Sequence, residues 1–282
     1  MSIVQIFTSI ADFQLWRENI SGTIGFVPTM GALHKGHLSL VEYSNKKCDT
    51  TVVSIYVNPT QFNPSEDLSS YPRDVDADIK LMKYYNVSAV FVPTDVMIYP
   101  NDFSTVIFEQ QLSSKLEGIS RPAHFKGVTT VVAKLFNIVQ PTHAFFGEKD
   151  AQQLRVIQKM VLDLNFPVEI VPCPIIREEN GLAMSSRNEY LSDDTRKRAS
   201  IIFHSLEMVK KQLQAGETSS KQVVGFIKKT ITSEPLAKID YISVANSKTL
   251  VEIDGNLSGE ILVSVAVFFN KTRLVDNFTI IL

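Results

Sequence analysis

Residues 26–41 (FVPTMGALHKGHLSLV) constrain the fold of this chain more than any other stretch, because they join a strand to a helix through a glycine turn. The apolar run at 24–27 predicts a buried parallel strand that ends at Pro28, and the apolar residues from Leu38 onward predict one face of a helix. Such a turn is expected to leave free backbone N–H groups at the helix N-terminus, where the helix dipole also favours an anion. The stretch therefore predicts a phosphate site in an α/β protein.

Two histidines in this turn support the same interpretation. His34 and His37 stand three residues apart, so each imidazole can donate a hydrogen bond to phosphoryl oxygens on which charge develops. Gly36 between them allows a ligand to approach the backbone closely. One alternative is that both histidines are surface residues without a function. A zinc site is a weaker alternative, because no third or fourth ligand stands near them in the sequence.

The composition excludes several classes of protein. With 44% hydrophobic residues over 282 residues the chain can bury a full core, and its net charge of −2 does not indicate a nucleic-acid-binding surface. The two cysteines, Cys48 and Cys173, stand in separate apolar stretches, which excludes a disulfide framework and favours a reducing compartment. No apolar run approaches the roughly 20 residues of a membrane helix, and the N-terminus lacks the apolar region of a signal peptide. We expect a cytoplasmic protein that binds neither nucleic acid nor a membrane.

Strands and helices alternate through the first part of the chain, which predicts an α/β fold with a Rossmann-like, doubly wound parallel sheet. The predicted strands are 24–27, 51–57, 87–92 and 144–146, and the predicted helices begin near Leu38 and cover 74–85, 125–138 and 152–164.

The pattern changes near Pro172. A loop at 175–188 is followed by a helix from Ser192 that ends at Gly216, and by a second helix from about Ser220. The last predicted strands are 241–244, 261–269 and 272–282, of which the last two form a hairpin around Asn270 and Lys271. The sequence thus predicts a Rossmann-like domain at 1–175 and a smaller α+β domain at 176–282.

Three further polar groups are candidates for ligand binding. Asn58 and Gln61 follow a predicted strand, where open α/β sheets bind ligands, although a turn rich in Asn and Pro would look the same. Gly147, Glu148, Lys149 and Asp150 follow the next buried strand, and Gln152 and Gln153 come directly after them. Met184, Ser185, Ser186 and Arg187 offer two hydroxyls and a guanidinium to a polyphosphate, the alternative being an ordinary polar loop.

Other chemistries fit less well. The chain contains neither the P-loop pattern nor G-x-G-x-x-G after a strand, and it lacks the G-x-S-x-G turn of many hydrolases.

Taken together, these motifs resemble one family, the pantothenate synthetases, which are pantoate–β-alanine ligases of the H-x-G-H nucleotidyltransferase superfamily. The resemblance runs nearly from end to end, in family order and spacing. It is carried by PTMGALHKGHLSLV, YVNPTQF, YPRDVDAD, RPAHFKGVTTVV, FFGEKDAQQL and GLAMSSRNEYL.

The resemblance implies an enzyme that condenses (R)-pantoate with β-alanine at the expense of ATP, with Mg²⁺ on the phosphates. Pantoyl adenylate and pyrophosphate would form first, and β-alanine would then displace AMP. His34, His37 and Lys149 would be catalytic, Gln61 and Gln153 would hold pantoate, and Asn58 would assist. The implied ATP site comprises Met30, Gly31, Ala32, Leu33, His34, Lys35, Gly36, His37, Gly147, Glu148, Lys149, Asp150, Ile176, Met184, Ser185, Ser186 and Arg187.

The family also implies a homodimer, in which residues 176–282 contribute a clamp over ATP. Four residues depart from the family pattern: Lys35 where an acidic residue is common, Ala123 where glycine is usual, His143 for aspartate and Ala151 for an aromatic. None of the four is assigned a catalytic role. Two alternatives stay open, a related adenylyltransferase that forms a dinucleotide and a nucleotide-binding regulator without catalysis.

Overall fold

The computed structural model describes residues 4–64 and 66–282, which form two compact units. The first unit contains the chain up to Glu148 together with Gln153–Pro174, and the second contains Lys149–Gln152 together with Ile175–Leu282. The chain therefore enters the second unit briefly after residue 148 and returns to it at residue 175, whereas the sequence predicts a single boundary. Among the helices formed by these described residues, none is both long enough and apolar enough to cross a bilayer.

The first unit is built on a six-stranded sheet in which every pair of neighbouring strands is parallel. Its strands are β1 (Gln5–Phe7), β2 (Ile24–Thr29), β3 (Thr50–Ile55), β4 (Ala89–Phe91), β5 (His143–Gly147) and β6 (Glu169–Cys173). They lie in the order β1-β4-β3-β2-β5-β6. The predicted parallel α/β sheet is confirmed.

The order of the strands locates the crevice of this sheet. From β2 the chain builds outward through β3 and β4, and it then crosses to the other side of β2 to form β5 and β6. The carboxyl ends of β2 and β5 therefore meet at the topological switch point, where open α/β sheets bind their ligands.

Alternate residues of the central strands enter separate cores. Phe26 and Val52 belong to one buried cluster. This cluster also contains Phe13 from helix α1 (Ile10–Glu18) and Phe136 from helix α6 (His124–Val139). Val27, Val53 and Phe145 belong to a second cluster, which includes Leu40, Val41 and Met82 from α2 (Lys35–Lys47) and α3 (Val75–Met82). Because successive side chains of a strand point to opposite faces, this division shows that helices cover both faces of the sheet. The remaining helices of this unit are α4 (Asp95–Ile98), α5 (Glu117–Ser120) and α7 (Ala151–Asp163).

The two edge strands of the sheet, β1 and β6, are not predicted from the sequence. Strand β1 has only three residues, two of them exposed, so it lacks an alternating pattern. Strand β6 contains Pro172, which the sequence interpretation took as the end of the pattern; proline is tolerated on an edge strand because one side of that strand makes no ladder. Helix α1 was missed together with β1.

The second unit contains an antiparallel sheet in the order β7-β8-β9, with strands β7 (Ala237–Asn246), β8 (Glu260–Phe269) and β9 (Thr272–Ile281). The predicted hairpin at Asn270 is confirmed, and Asn270 has the positive φ of 55° that a tight turn favours. Helices α8 (Asp193–Ala199), α9 (Ile201–Gln214) and α10 (Ser220–Thr232) complete this unit. The predicted long helix from Ser192 is thus interrupted at Ser200, and it ends beside Gly216 as expected.

Candidate functional site

The two histidines lie in a turn between β2 and α2, at the switch point of the sheet; residues 30–37 are called the histidine turn below. The backbone at Gly31 and Ala32 has positive φ angles of 82° and 51°. Glycine adopts this conformation freely, whereas an L-residue such as Ala32 adopts it at a cost of about 1–2 kcal/mol. Something must therefore hold Ala32 in place.

The buried carboxylate of Asp78 on α3 contacts this turn from outside it. Oδ2 accepts a hydrogen bond from the Ala32 N–H at 2.9 Å, and Oδ1 accepts one from the Leu33 N–H at 2.8 Å. A Cβ at Gly31 would lie 2.9 Å from Oδ2, which is too close for any residue but glycine. The carboxylate and the glycine thus fit one another.

The imidazoles satisfy the start of α2. His34 is the N-cap residue and its Nδ1 accepts a hydrogen bond from the Gly36 N–H at 3.1 Å, while Nδ1 of His37 accepts one from the His34 N–H at 3.4 Å. The rings lie against each other, with centroids 4.1 Å apart and planes tilted by 33°. A neutral imidazole that accepts at Nδ1 carries its proton at Nε2, so both rings present Nε2–H as their donor.

The expectation of free backbone amides in this turn is wrong for five residues. Besides the four amides already described, the Gly31 N–H donates to Thr29 Oγ1 at 3.2 Å. These donors are thus satisfied within the protein, by Asp78, by Thr29 and by the two imidazoles. The donors that suit an anion are instead the imidazole Nε2–H groups, on side chains that are half-buried, with exposed Lys35 between them.

Gln61 and Asn58 follow β3, the neighbour of β2, in and before a short 3₁₀ helix, Pro59–Gln61. The Gln61 amide donates to Met30 Sδ at 3.1 Å, which brings this loop against the histidine turn. Asn58 is only 1% exposed, and its two amide protons go to Gln61 Oε1 and the Gly127 carbonyl, both at 3.1 Å. Asn58 therefore holds Gln61 in position within the structure.

The RPAHFKG motif packs directly against this glutamine. Nδ1 of buried His124 lies 2.9 Å from the Gln61 carbonyl oxygen, and a Cβ on Gly127 would lie 2.6 Å from the Gln61 backbone nitrogen. Arg121 donates to the same carbonyl and forms a bidentate ion pair with Glu66. The sequence alone assigns this motif no role. Its charged residues and its glycine were the available signal.

Tyr99 completes the support of Asn58. Its hydroxyl donates to Asn58 Oδ1 at 2.9 Å, and that oxygen also accepts from Thr60 Oγ1 at 2.9 Å. Burial raises the pKa of Tyr99, so its hydroxyl keeps the proton that it donates.

The remaining predicted residues of the first unit lie after β5. Gly147 ends this strand, and Glu148 opens the short 3₁₀ helix Glu148–Asp150. Gln153 is half-buried in the first turn of α7. Since β5 adjoins β2, Gly147 and the histidine turn follow neighbouring strands at the switch point.

Other predicted residues belong to the second unit. Lys149 lies 3.5 Å from Asp150, and its carbonyl accepts a hydrogen bond from the Asn277 amide on β9 at 2.8 Å. The Ile176 carbonyl accepts from the Met184 N–H at 2.9 Å, which folds residues 175–190 back on themselves. Ser185 caps the 3₁₀ helix Ser186–Tyr190 by accepting from the Arg187 N–H at 3.3 Å.

Two ion pairs anchor residues 175–190, the clamp segment, within this unit. Arg177 forms a bidentate pair with Asp276 at 2.6 and 2.9 Å, and Asp276 is 2% exposed. Glu178 pairs with Arg196 at 2.7 and 2.8 Å and also accepts from Asn188. The loop predicted from the sequence is thus a firmly held part of the second unit.

The four departures from the family pattern lie outside these contacts. Lys35 is exposed, and Ala123 precedes α6 without a side-chain cap. His143 contacts Thr142 and lies 3.4 Å from Glu169, whose side chain is 58% exposed. Ala151 is buried in the start of α7.

The arrangement in the first unit is that of an α/β protein with a candidate anion site at the switch point of its sheet. The two imidazoles lie in the histidine turn, and the buried loop that carries Asn58 and Gln61 contacts this turn through Met30. A profile of the pantoate–β-alanine ligases matches residues 5–279, and the chain belongs to this family.

Named relatives agree with this assignment. A pantothenate synthetase of Acetivibrio thermocellus is 48% identical over 98% of this chain and 98% of its own. The crystal structure of pantothenate synthetase from Thermus thermophilus matches with a TM-score of 0.92 and 40% identity, covering 98% of this chain and 99% of that one. The pantoate–β-alanine ligase of Francisella tularensis, solved with β,γ-ATP and β-alanine, matches with a TM-score of 0.79 and 34% identity over 98% of this chain and 97% of its own.

Proposed function

We propose that the chain joins (R)-pantoate to β-alanine with ATP as the energy source, giving pantothenate, AMP and pyrophosphate. The observation that carries this proposal is the contact between Met30 of the histidine turn and Gln61 of the neighbouring loop. It brings donors for a phosphate and an amide for a hydroxy acid to one edge of the sheet. The names of the relatives support it, and so does the crystallised complex of the Francisella tularensis ligase with β,γ-ATP and β-alanine.

In the first step a pantoate carboxylate oxygen attacks the α-phosphorus of ATP. A P–O bond forms, the bond from the α-phosphorus to the bridging oxygen breaks, and pyrophosphate leaves with that electron pair. The Nε2–H groups of His34 and His37 stabilise the charge that grows on the phosphoryl oxygens. Gln61 and Gln153 hold pantoate, and Asn58 acts through Gln61, which its amide contacts.

For the second unit the proposal rests on the chemistry of the side chains. Lys149 neutralises phosphoryl charge, and Ser185, Ser186 and Arg187 bind the pyrophosphate portion, since guanidinium and hydroxyl donors match phosphate oxygens. Further nucleotide contacts are assigned to the backbone and side chains of Gly147, Glu148, Asp150, Ile176 and Met184.

In the second step the neutral amine of β-alanine attacks the acyl carbon of pantoyl adenylate. A C–N bond forms, the acyl C–O bond to AMP breaks, and the amine loses a proton to the surrounding solvent. Because the adenylate is a mixed anhydride that water also attacks, the site must exclude water between the two steps.

Mg²⁺ is proposed as the companion of ATP. Within residues 4–64 and 66–282 no group of three or more His, Cys, Asp or Glu side chains is placed to hold a metal ion. In proteins Mg²⁺ is commonly held by one or two carboxylates together with substrate phosphates and water. Its contribution when bound would be to neutralise charge on the triphosphate.

Isotope exchange tests the proposal. The enzyme should exchange labelled pyrophosphate into ATP when pantoate is present and β-alanine is absent, and it should form AMP and pantothenate when both are present. Strict dependence of the exchange on β-alanine would rule out a free-standing adenylate. Exchange that needs a mononucleotide in place of pantoate would favour a dinucleotide-forming adenylyltransferase, and an absence of both activities would favour a regulator.

A cytoplasmic homodimer is also proposed. Val106 and Phe108 are 48% and 47% exposed in a segment without regular secondary structure, and Ile119 nearby in the chain is 73% exposed. A second copy of the chain would cover apolar surface of this kind. Sedimentation equilibrium should give twice the chain mass, and Phe108→Lys should shift the equilibrium toward the monomer, whereas Val96→Lys, at an apolar residue 67% exposed elsewhere, should not.

A further inference from the structure

Asp78 is not among the site residues assigned above. From helix α3 it makes the main side-chain contacts to the backbone of the histidine turn. It is 5% exposed, and it reaches across 46 residues of sequence to Ala32. Each of its carboxylate oxygens accepts one backbone N–H, from Ala32 and from Leu33. Hydrogen bonds to a charged acceptor are roughly twice as strong as neutral ones, so this pair is the strongest tie on the turn.

The contact acts on a backbone that would otherwise relax. Ala32 has a φ of 51°, which an alanine leaves readily when nothing opposes it. Leu33 is followed at once by His34, whose ring caps α2 and contacts the ring of His37. A rotation at Ala32 would therefore displace both imidazoles from the end of β2.

We propose that Asp78 is a positioning residue for the adenylation step: it fixes the backbone of Ala32 and Leu33 and thereby aims the Nε2–H groups of His34 and His37 at the α-phosphate. The inference rests on the proposed function, because it assumes that these donors face ATP. Asp78 does not touch the substrate in this account. It acts through the turn alone.

Asp78→Asn tests the inference because the asparagine has the same shape but only one acceptor oxygen, so its NH₂ group faces one of the two backbone donors. Misplacing reacting groups by about 1 Å costs roughly 100-fold in rate. We therefore expect the pantoate-dependent pyrophosphate exchange of the variant to fall about 100-fold in kcat, with the KM for pantoate nearly unchanged. Asp78→Glu should recover part of the loss, because it restores two carboxylate oxygens.

The matched control is Asp76→Asn, which removes an exposed carboxylate two residues away on the same helix and should leave the exchange rate unchanged. Nitrogen-15 spectra of the imidazoles give a second readout without substrate. Wild-type protein should show His34 and His37 as neutral Nε2–H rings, and Asp78→Asn should shift these signals while its circular dichroism stays native.

Each remaining outcome decides the matter. Exchange at the wild-type rate with unshifted imidazole signals in Asp78→Asn would overturn the inference, and so would unfolding of both Asp78 variants, since Asp78 would then serve the fold alone. A raised KM for pantoate with an unchanged kcat would also contradict the inference. If wild-type protein itself shows no exchange, the proposed function fails, and shifted imidazole signals would still report the contact.

Discussion

The histidine turn of the first unit and the clamp segment of the second are both candidate phosphate-binding segments, but different kinds of contact hold them in place. In the histidine turn the backbone amides are satisfied by Asp78 and by the two imidazoles. The clamp segment is held by charged side chains, in the pairs of Arg177 with Asp276 and Arg196 with Glu178. One segment is tied through its backbone and the other through ion pairs that begin and end outside its binding residues.

The difference separates two ways of losing function. A change in the histidine turn acts on geometry, because the two imidazoles that help to hold its backbone are also the proposed phosphate donors. A change in the pairs around the clamp segment acts first on the stability of the second unit, because a charge is left without its partner. Variants in the two regions should therefore differ in the balance between lost activity and lost stability.

The largest loss of folding stability is expected for Arg177→Met. It leaves Asp276, which is 2% exposed, without its guanidinium, and breaking a buried pair in this way costs about 3–5 kcal/mol. The low end applies because the Arg177 side chain is 24% exposed. Urea denaturation should show the loss. The control Arg198→Met removes a side chain that is 45% exposed and pairs with Asp194 and Glu234, and it should cost under about 1 kcal/mol. Equal effects of the two variants would show that Asp276 is not the anchor.

The histidine turn should give the opposite balance. His37→Ala and His34→Ala should each raise the barrier to adenylation by about 2.7–4 kcal/mol, because each removes one donor to transition-state charge. His34→Ala should also lose about 1 kcal/mol of stability with the helix cap. His34→Asn separates the two roles, since asparagine is a good N-cap but lacks the ring donor. Its stability should be close to wild type and its exchange rate still low, and an active His34→Asn would reduce His34 to a cap.

A smaller effect is expected beside the turn. Gln61→Ala and Gln153→Ala should each weaken pantoate binding by about 1–3 kcal/mol, because a buried polar group of the substrate loses its partner. The affinity for ATP should barely change. Calorimetric titration of each ligand measures the two constants, with exposed Gln14→Ala on α1 as the control. A loss of ATP affinity with pantoate unaffected would mean that the two substrates have been assigned to the wrong residues.

The smallest effect is expected for Arg196→Met. The Arg196 side chain is 39% exposed, so its pair with Glu178 should contribute only about 0.2–1 kcal/mol and weaken as salt rises. The difference in unfolding free energy from wild type should therefore shrink between low salt and 1 M salt. The loss caused by Arg177→Met should persist under the same conditions, because its partner is buried. A loss in Arg196→Met that does not depend on salt would place this pair in the buried class as well.

The sequence was sufficient for the parts of the fold that rest on periodic patterns. Strands β2, β3 and β5 are buried apolar runs, and the contact between their carboxyl ends follows from parallel pairing alone. The predicted end of β2 at Pro28 is wrong, because the strand continues through Pro28 to Thr29 and stays paired with β3. The edge strand β1 was invisible because its residues are few and partly exposed. Sequence patterns describe neighbours along the chain, and edge strands depend on partners elsewhere in it.

The same limit explains what was missed in the site. The motif YPRDVDAD resembles the family pattern, but nothing in its spacing pairs Asp78 with an amide 46 residues away. The prediction of free amides in the turn failed for a related reason. Whether a donor is free depends on every acceptor that folding brings to it, and the imidazoles and Asp78 arrive only with the tertiary structure.

Neighbouring residues of β9 have a consequence for protein engineering. Asp276 grips Arg177 while Asn277 holds the carbonyl of Lys149, so one strand ties together two segments that are separated by the whole of α7 and β6. A chimera that exchanges only residues after 175 with a relative would pair a foreign β9 with the resident Lys149. The second unit is therefore discontinuous in sequence. A chimera should exchange residues 149–152 together with 175–282, or it should keep Asn at position 277.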